Sequence, residues 1–242
     1  MSSEKQSSLK AEFEKRNPWI TRFHIENEEY GGFFDAMNDV RIEQFFECFP
    51  SVENILELGS LEGGHSFALA QNSAVKKVTA IEGRADNIQR AEFVKEVLDD
   101  KKVEFLEANI EKTDFDALGK FDAVFCSGLL YHLPEPWKLI EQLGKISPNI
   151  FIWTQVSEEV KAKKIRNGWR GKYYREGGFF DPLSGLSKKS FWFSLGSLVN
   201  LLTINGYSKI RIIENNLNHP KGPAVTIAAT KDVFEKSIAK DK

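Results

Sequence analysis

The chain predicts a doubly wound α/β domain, a Rossmann-like sheet of seven strands that is mostly parallel with its last strand antiparallel. Three observations carry that prediction. From residue 54 onward, short apolar segments alternate with amphipathic stretches of helical period. The final two strand-like segments are joined by NNLNHPKGP, too short for a helical crossover, so they pair antiparallel. The 242 residues, 41% hydrophobic and 28% charged, also have the size and apolar content of one large α/β domain.

Each element follows from local pattern. Residues 1–16 are charged and weakly patterned, a fraying helix or tail. Residues 17–38 hold Trp19, Phe23, Tyr30, Phe33 and Phe34 around a Gly31-Gly32 turn. A helix over Asp39–Phe49 turns Val40, Phe45, Phe46 and Phe49 inward, and Pro50 ends it. Strands follow at Asn54–Leu58, Lys77–Glu82, Val103–Glu107, Phe121–Cys126 and Asn149–Gln155. The helices between them run through Phe67 and Leu69, over Asp86–Leu98, and over Pro136–Ile146. Residues 156–187 are polar and glycine-rich, a long loop of the kind that usually carries function. A helix over Ser190–Asn205 buries Phe191, Leu195, Leu198, Leu201 and Leu202, and Gly206 closes it. Ser208–Glu214 and Ala224–Thr230 form the terminal hairpin.

Composition excludes several classes. Lys+Arg number 33 and Asp+Glu 35, a net charge of -2, which argues against a protein that coats nucleic acid non-specifically. Cys48 and Cys126 both sit among apolar residues and read as reduced, packed thiols. The histidines, among them His24 and His219, have no ligand spacing, so no metal is expected. The opening MSSEKQSSLKAEFEKR lacks the apolar core of a signal peptide, and no run of about 18 apolar residues exists. A cytoplasmic location without a membrane partner is the expectation. Nothing in the sequence defines an oligomeric state.

The segment NILELGSLEGGHS carries the chemistry. A strand ends in Glu57, Gly59, Gly63 and Gly64 follow, and a helix begins. Such a turn lets backbone approach a ligand closely. The next strand ends in Glu82, placed to accept hydrogen bonds from both hydroxyls of an adenosine ribose. A dinucleotide fingerprint needs a glycine where this loop has Leu61. Glu57 and Glu62 would also repel a pyrophosphate. The same carboxylates suit a ligand with an ammonium and a sulfonium, so S-adenosyl-L-methionine is favoured over NAD. Asp122, inside FDAVFC, reads as a support for the glycine loop.

These residues resemble the class I S-adenosylmethionine-dependent methyltransferases. The resemblance runs through ELGSLEGG at 57–64, Glu82, Asn109-Ile110 and FDAVFCSGLLYHLPEP at 121–136, and covers residues 50–230 in element order. The GLLYHLPEP stretch is similar to tRNA wobble-uridine carboxymethyltransferases and to many bacterial methyltransferases. The resemblance implies that the backbone of Gly59, Ser60 and Gly63 lines the methionine part of the cofactor and that Glu57 holds its ammonium. It implies that Glu82 binds the ribose, with Gly83 and Arg84 beside the adenine. It places Asn109 on the adenine amine, where relatives often carry Asp, with the Ile110 amide near a ring nitrogen. Ser127 and Gly128 then face the reaction centre.

The organisation expected is an N-terminal tail with a helical, aromatic lid segment at 1–50, a methyltransferase domain at 51–232, and a C-terminal tail at 233–242. Within the lid segment Tyr30 and Arg41 are candidates to reach the cofactor, Arg41 through its carboxylate. His132 and Tyr131 are the catalytic candidates, because they follow the fourth strand where acceptor meets methyl group. His132 is open to two roles, general base or orienter of the following loop. The run KAKKIRNGWRGKYYR at 161–175 holds seven basic residues and no acidic one. It is open to RNA binding, to a smaller anionic or sugar-bearing acceptor, or to plain packing. Arg170, Tyr173 and Arg175 are taken as substrate-binding, within 156–187 as the substrate loop. The reading is methyl transfer to an oxygen or nitrogen of a small molecule or saccharide. A tRNA-modifying (carboxy)methyltransferase, a non-catalytic cofactor-binding module and an NAD-dependent oxidoreductase are the alternatives.

Overall fold

The computed structural model describes residues 3–178 and 180–232; the expected tail at 233–242 lies outside the described residues. In chain order the elements are α1 (Ser3–Lys15), β1 (Arg22–Ile25), β2 (Glu28–Gly31), α2 (Val40–Cys48), β3 (Asn54–Leu58), α3 (Gly64–Gln71), β4 (Lys77–Glu82), α4 (Ala85–Leu98) and β5 (Val103–Glu107). They continue with β6 (Ala123–Ser127), α5 (Pro136–Ile146), β7 (Asn149–Gln155), β8 (Lys164–Arg166), β9 (Trp169–Arg175), β10 (Lys189–Phe193), α6 (Leu195–Ile204), β11 (Lys209–Asn216) and β12 (Ala224–Thr230).

The main sheet has seven strands in the order β11-β12-β7-β6-β3-β4-β5. Pairings among β3 to β7 are parallel, while β12 lies antiparallel to both β7 and β11. The central strands are covered on both faces, which is why they read as continuous apolar runs. Alternation along each strand then divides the core. Leu56, Leu58, Val124 and Cys126 face Ile140 and Leu143 of α5 and Leu198 and Leu201 of α6. Ile55, Val78, Ala123 and Phe125 face the other layer, with Phe67 of α3, Ala91 of α4 and the N-terminal Phe13, Trp19 and Phe23. Among the described residues no helix is long and apolar enough to cross a membrane, and no His/Cys/Asp/Glu group could hold a metal.

Several local expectations are corrected. Residues 3–15 form a full helix, because Phe13 is buried against Trp19 and Tyr30. The turn in the aromatic segment falls at Glu26-Asn27, both left-handed, between β1 and β2, while Gly31 ends β2. Val40 opens α2 and is 58% exposed rather than inward; Phe45 and Phe49 supply the buried face. Asp122 accepts from the backbone N–H groups of Glu53 and Asn54 at 2.8 Å, so it pins the start of β3 rather than the glycine loop at its end. The 156–187 stretch is not structureless: β8, β9 and β10 make a separate antiparallel sheet. Ser190–Phe193 accordingly belongs to β10 and not to a helix; its alternating side chains pair with Gly171–Tyr174. α6 starts only after Ser194, whose hydroxyl caps the Ser197 N–H.

Candidate active site

The order of the sheet places the site. The chain leaves β3 outward to β4 and β5, then crosses back to β6 and β7. The strand order therefore reverses between β3 and β6, and a crevice opens beyond their carboxyl ends. A cavity of about 320 Å³ lies there.

The glycine loop forms one wall. The N–H groups of Gly59 and Ser60 donate to the Ile81 carbonyl at 2.8 and 3.2 Å, which clamps the loop to the end of β4. Gly59, Ser60, Leu61 and Gly64 line the cavity, but Gly63 does not. Gly63 caps α3 with a φ of 85°, and a Cβ there would sit 2.7 Å from the ring of Phe105. Its glycine serves the turn and the packing on β5 rather than contact with a ligand. The Ser60 hydroxyl is buried without a hydrogen-bond partner among the described residues and lines the cavity, an unmet need that a bound ligand would satisfy.

The three acids near the loop have separate roles. Glu82 lines the cavity, buried, and accepts from the N–H groups of Leu61 at 3.0 Å and Arg84 at 2.9 Å. Burial raises its pKa, although these bonds oppose the rise. Each oxygen keeps acceptor capacity for a ribose hydroxyl. Glu57 sits behind the loop, 1% exposed, accepts from the Ser66 hydroxyl, and is not a lining residue. Burial pushes its carboxyl up to about 7. Glu62 accepts from the Ile20 and Thr21 N–H groups, the latter at 2.6 Å, so it ties the N-terminal segment across the cavity instead of facing a cationic ligand.

That N-terminal segment supplies Ile20, Thr21, Phe33 and Phe34 to the cavity wall. Tyr30 is not among them: it is buried and stacked on Phe13. Arg41 does reach the cavity. It donates to the Ser127 hydroxyl at 2.7 Å, pairs with Asp39, and lies 4.8 Å over the Trp153 ring. Burial works against charge on Asp39, but His65 and Arg41 outweigh it and hold the carboxyl well below the usual range.

Gly83, Arg84, Asn109, Ile110, Ser127 and Gly128 all line the cavity. Asn109 caps the turn after β5 by accepting from the Glu111 N–H at 2.9 Å, and it lines the cavity. The Arg84 guanidinium is held by backbone carbonyls at the cavity's edge. It donates to the carbonyls of Asp181 and Ser184, both at 2.8 Å, and so holds the segment from Asp181 to Ser184 beside the cavity, where Pro182 to Leu186 form part of the wall.

Tyr131 and His132 line the cavity, as does Gly128. Burial pushes the Tyr131 phenol up to about 12, so it stays protonated and can orient a ligand but not take a proton from it. His132 Nδ1 lies 2.9 Å from the Glu176 carboxylate. Glu176 also accepts from the Ser184 hydroxyl at 2.6 Å, the Gly185 N–H at 3.0 Å and the Ser190 hydroxyl at 2.5 Å. Burial opposes its charge, yet these donors prevail and hold its carboxyl at about 2. Sequence reasoning passes over Glu176; the only signal was an acid closing a basic run.

Arg170, Tyr173 and Arg175 do not reach the cavity. They lie on β9, which is separated from it by the pairing with β10. Phe191 of β10 donates its N–H to Leu133, and Trp192 meets Tyr131 at 6.0 Å. Tyr173 packs on Phe191 and accepts from Arg166 at 2.9 Å, while Arg170 and Arg175 point to solvent. The small sheet thus stands behind the Tyr131–Leu133 turn and supplies no residue to the cavity wall. The cavity gives the RNA reading no support, since the basic run lies outside it.

A reversed strand order, an acid at the end of β4 and a glycine loop without a phosphate cradle fit a binder of a nucleoside cofactor. Comparison with known proteins narrows this. A family described as "Methyltransferase domain" matches residues 51–169. The crystal structure of the N-terminal domain of EvdMO1, solved in the presence of S-adenosylhomocysteine and D-fucose, is 31% identical, with a TM-score of 0.84 over 96% of this chain and 98% of that one. Against the full EvdMO1 structure the chain spans 49% of that chain's length at 28% identity, with a TM-score of 0.75 over 96% of this chain. Magnesium protoporphyrin IX methyltransferase from Synechocystis PCC 6803, with bound S-adenosylmethionine, shares the fold at 15% identity, with a TM-score of 0.54 over 81% of this chain and 78% of that one. No curated protein matches the chain in sequence. The chain belongs to the class I S-adenosylmethionine-dependent methyltransferases, and its cofactor is S-adenosylmethionine.

Proposed function

We propose that the chain transfers a methyl group from S-adenosylmethionine to a hydroxyl oxygen of a saccharide. The observation that carries this reading is the likeness, at 31% identity over almost the whole of both chains, to a domain crystallised with S-adenosylhomocysteine and D-fucose. The cavity's chemistry agrees. Trp153 and Tyr131 offer ring surface to the C–H face of a sugar, while Ser127, His132 and Lys221 offer polar contacts to its hydroxyls.

The cofactor, when bound, supplies a methyl carbon already activated by sulfonium. The protein's part is alignment, exclusion of water and handling of one proton. Glu82 and Ser60 would hold the adenosine and loop-facing parts, and Arg41 would meet the methionine carboxylate through a guanidinium already oriented by Asp39. Phe33, Phe34, Leu183 and Leu186 add apolar surface to the cavity wall. The test is incubation with S-adenosylmethionine and D-fucose, followed by mass spectrometry for the methyl sugar and for released S-adenosylhomocysteine. Turnover of amine acceptors, with D-fucose and other sugars inert, would remove the saccharide reading.

A further inference from the structure

The Glu176 carboxylate has more hydrogen-bond donors than a structural tether needs. It stands just past β9, its side chain 2% exposed, and takes four donors: His132 Nδ1, two serine hydroxyls and one backbone N–H. Three of these donors converge on Oε2 and the Ser190 hydroxyl reaches Oε1, a set that suits an acceptor-only, ionised carboxylate and keeps this one charged in a buried place. An ionised carboxylate only accepts, so the bond at 2.9 Å requires the hydrogen on His132 Nδ1. In the neutral imidazole Nε2 is then an unprotonated acceptor. His132 lines the cavity beside Gly128, and its Nε2 has no partner among the described residues.

Two of the donors, Ser184 and Gly185, belong to the segment that also walls the cavity and that Arg84 holds at the cofactor end. Gly185 passes so close to His132 that a Cβ there would lie 2.5 Å from the His132 carbonyl. The segment is therefore seated directly on the histidine turn, and its glycine is what permits the approach.

We propose that Glu176 is the positioning residue for methyl transfer: it holds His132 as the Nδ1–H tautomer, so that Nε2 takes the proton of the acceptor hydroxyl. This rests on the reading that the acceptor atom is a hydroxyl oxygen. The hydroxyl proton passes to Nε2, an oxygen lone pair forms the new bond to the methyl carbon, and the C–S bonding pair returns to sulfur. The products are a methyl ether, S-adenosylhomocysteine and a His132 imidazolium. The positive charge leaving sulfur thus reappears next to the Glu176 carboxylate, a fixed counter-charge already in place.

Two measurements test this on the full chain saturated with S-adenosylhomocysteine. Two-bond proton–nitrogen NMR correlations identify the His132 tautomer, with its signals assigned by their loss in His132→Asn. The expected result is the Nδ1–H form in the parent protein. In Glu176→Gln that preference is lost, kcat with D-fucose falls at least about tenfold, and the KM for D-fucose and the S-adenosylhomocysteine Kd stay within about twofold. Glu176→Asp recovers part of the kcat. An Nε2–H tautomer in the parent protein overturns the proposal, and that result needs no variant at Glu176 to fold. A folded Glu176→Gln with parental kcat overturns it as well. Failure of the parent protein to methylate D-fucose would count against the saccharide reading alone, because the tautomer still decides the role of Glu176.

Discussion

Replacing Glu57 by Gln should stabilise the protein, and only at higher pH. Glu57 is buried behind the glycine loop, where loss of solvation moves its carboxyl from an ordinary 4.5 to about 7 and the nearby Glu82 adds to the rise. At ~1.36 kcal/mol per pH unit that displacement corresponds to about 3 kcal/mol. The folded state holds the proton more tightly than the unfolded chain, so this group's contribution is fully present below pH 4.5 and is lost as pH rises through about 7. Between pH 5 and pH 8 the integrated loss is about 2.5 kcal/mol. Gln has the shape of the protonated acid and can still accept from the Ser66 hydroxyl, but it never ionises. Urea unfolding of ligand-free protein and of Glu57→Gln, followed by tryptophan fluorescence, gives both stabilities at each pH. The two should be similar near pH 5, with the variant ahead by up to about 2.5 kcal/mol at pH 8. Parallel pH profiles, separated by a constant, would show that Glu57 is not a displaced buried acid.

Three further outcomes follow from the geometry. Glu82→Gln removes the charge and part of the acceptor capacity at the end of β4; calorimetry should show S-adenosylhomocysteine binding weakened at least about tenfold in a folded protein, and NAD should not bind to either form. Arg170→Ala and Arg175→Ala, both solvent-exposed on β9 away from the cavity, should leave kcat and KM within about twofold; a tenfold loss of kcat would return β9 to the acceptor site. Gly63→Ala combines a left-handed φ of 85° with a Cβ 2.7 Å from Phe105, so thermal unfolding should report a loss of about 1–3 kcal/mol, whereas cofactor affinity per folded molecule should change little.

The legible part of the fold was the part with a period. The strands from β3 to β7 and the β11–β12 hairpin are read from apolar runs and connection lengths, since a sheet covered on both faces imposes that pattern on its own residues. The β8–β10 sheet was hidden because basic residues and tyrosines fill its strands, and it is held by pairing across a gap of sequence, Lys189 with Arg175, that no local pattern reports. The SFWF run reads as part of the following helix for the same reason: its apolar side chains suit a buried strand or a helix equally, and only its partner strand decides.

The site divides along the same line. The places of Gly59, Ser60 and Glu82 at the cavity follow from the sequence alone, though not that of Gly63, because backbone access and a carboxylate at adjacent strand ends lie in one local unit. Spacing likewise separated the cofactor from NAD, through Leu61 where a dinucleotide loop needs glycine; charge did not, because Glu57 and Glu62 turn to Ser66 and to the N-terminal segment rather than to the cavity. What the tertiary structure decided was which carboxylate faces which partner. Glu57, Glu62 and Glu82 are alike in sequence, yet one is buried against Ser66, one holds the N-terminal segment and one faces the cavity. Arg41, Trp153 and Glu176 come together with His132 only through long-range packing of four separate parts of the chain. A hydrogen bond between residues 44 positions apart, such as His132 to Glu176, depends on where two backbones are brought to rest, and that position is a property of the whole fold.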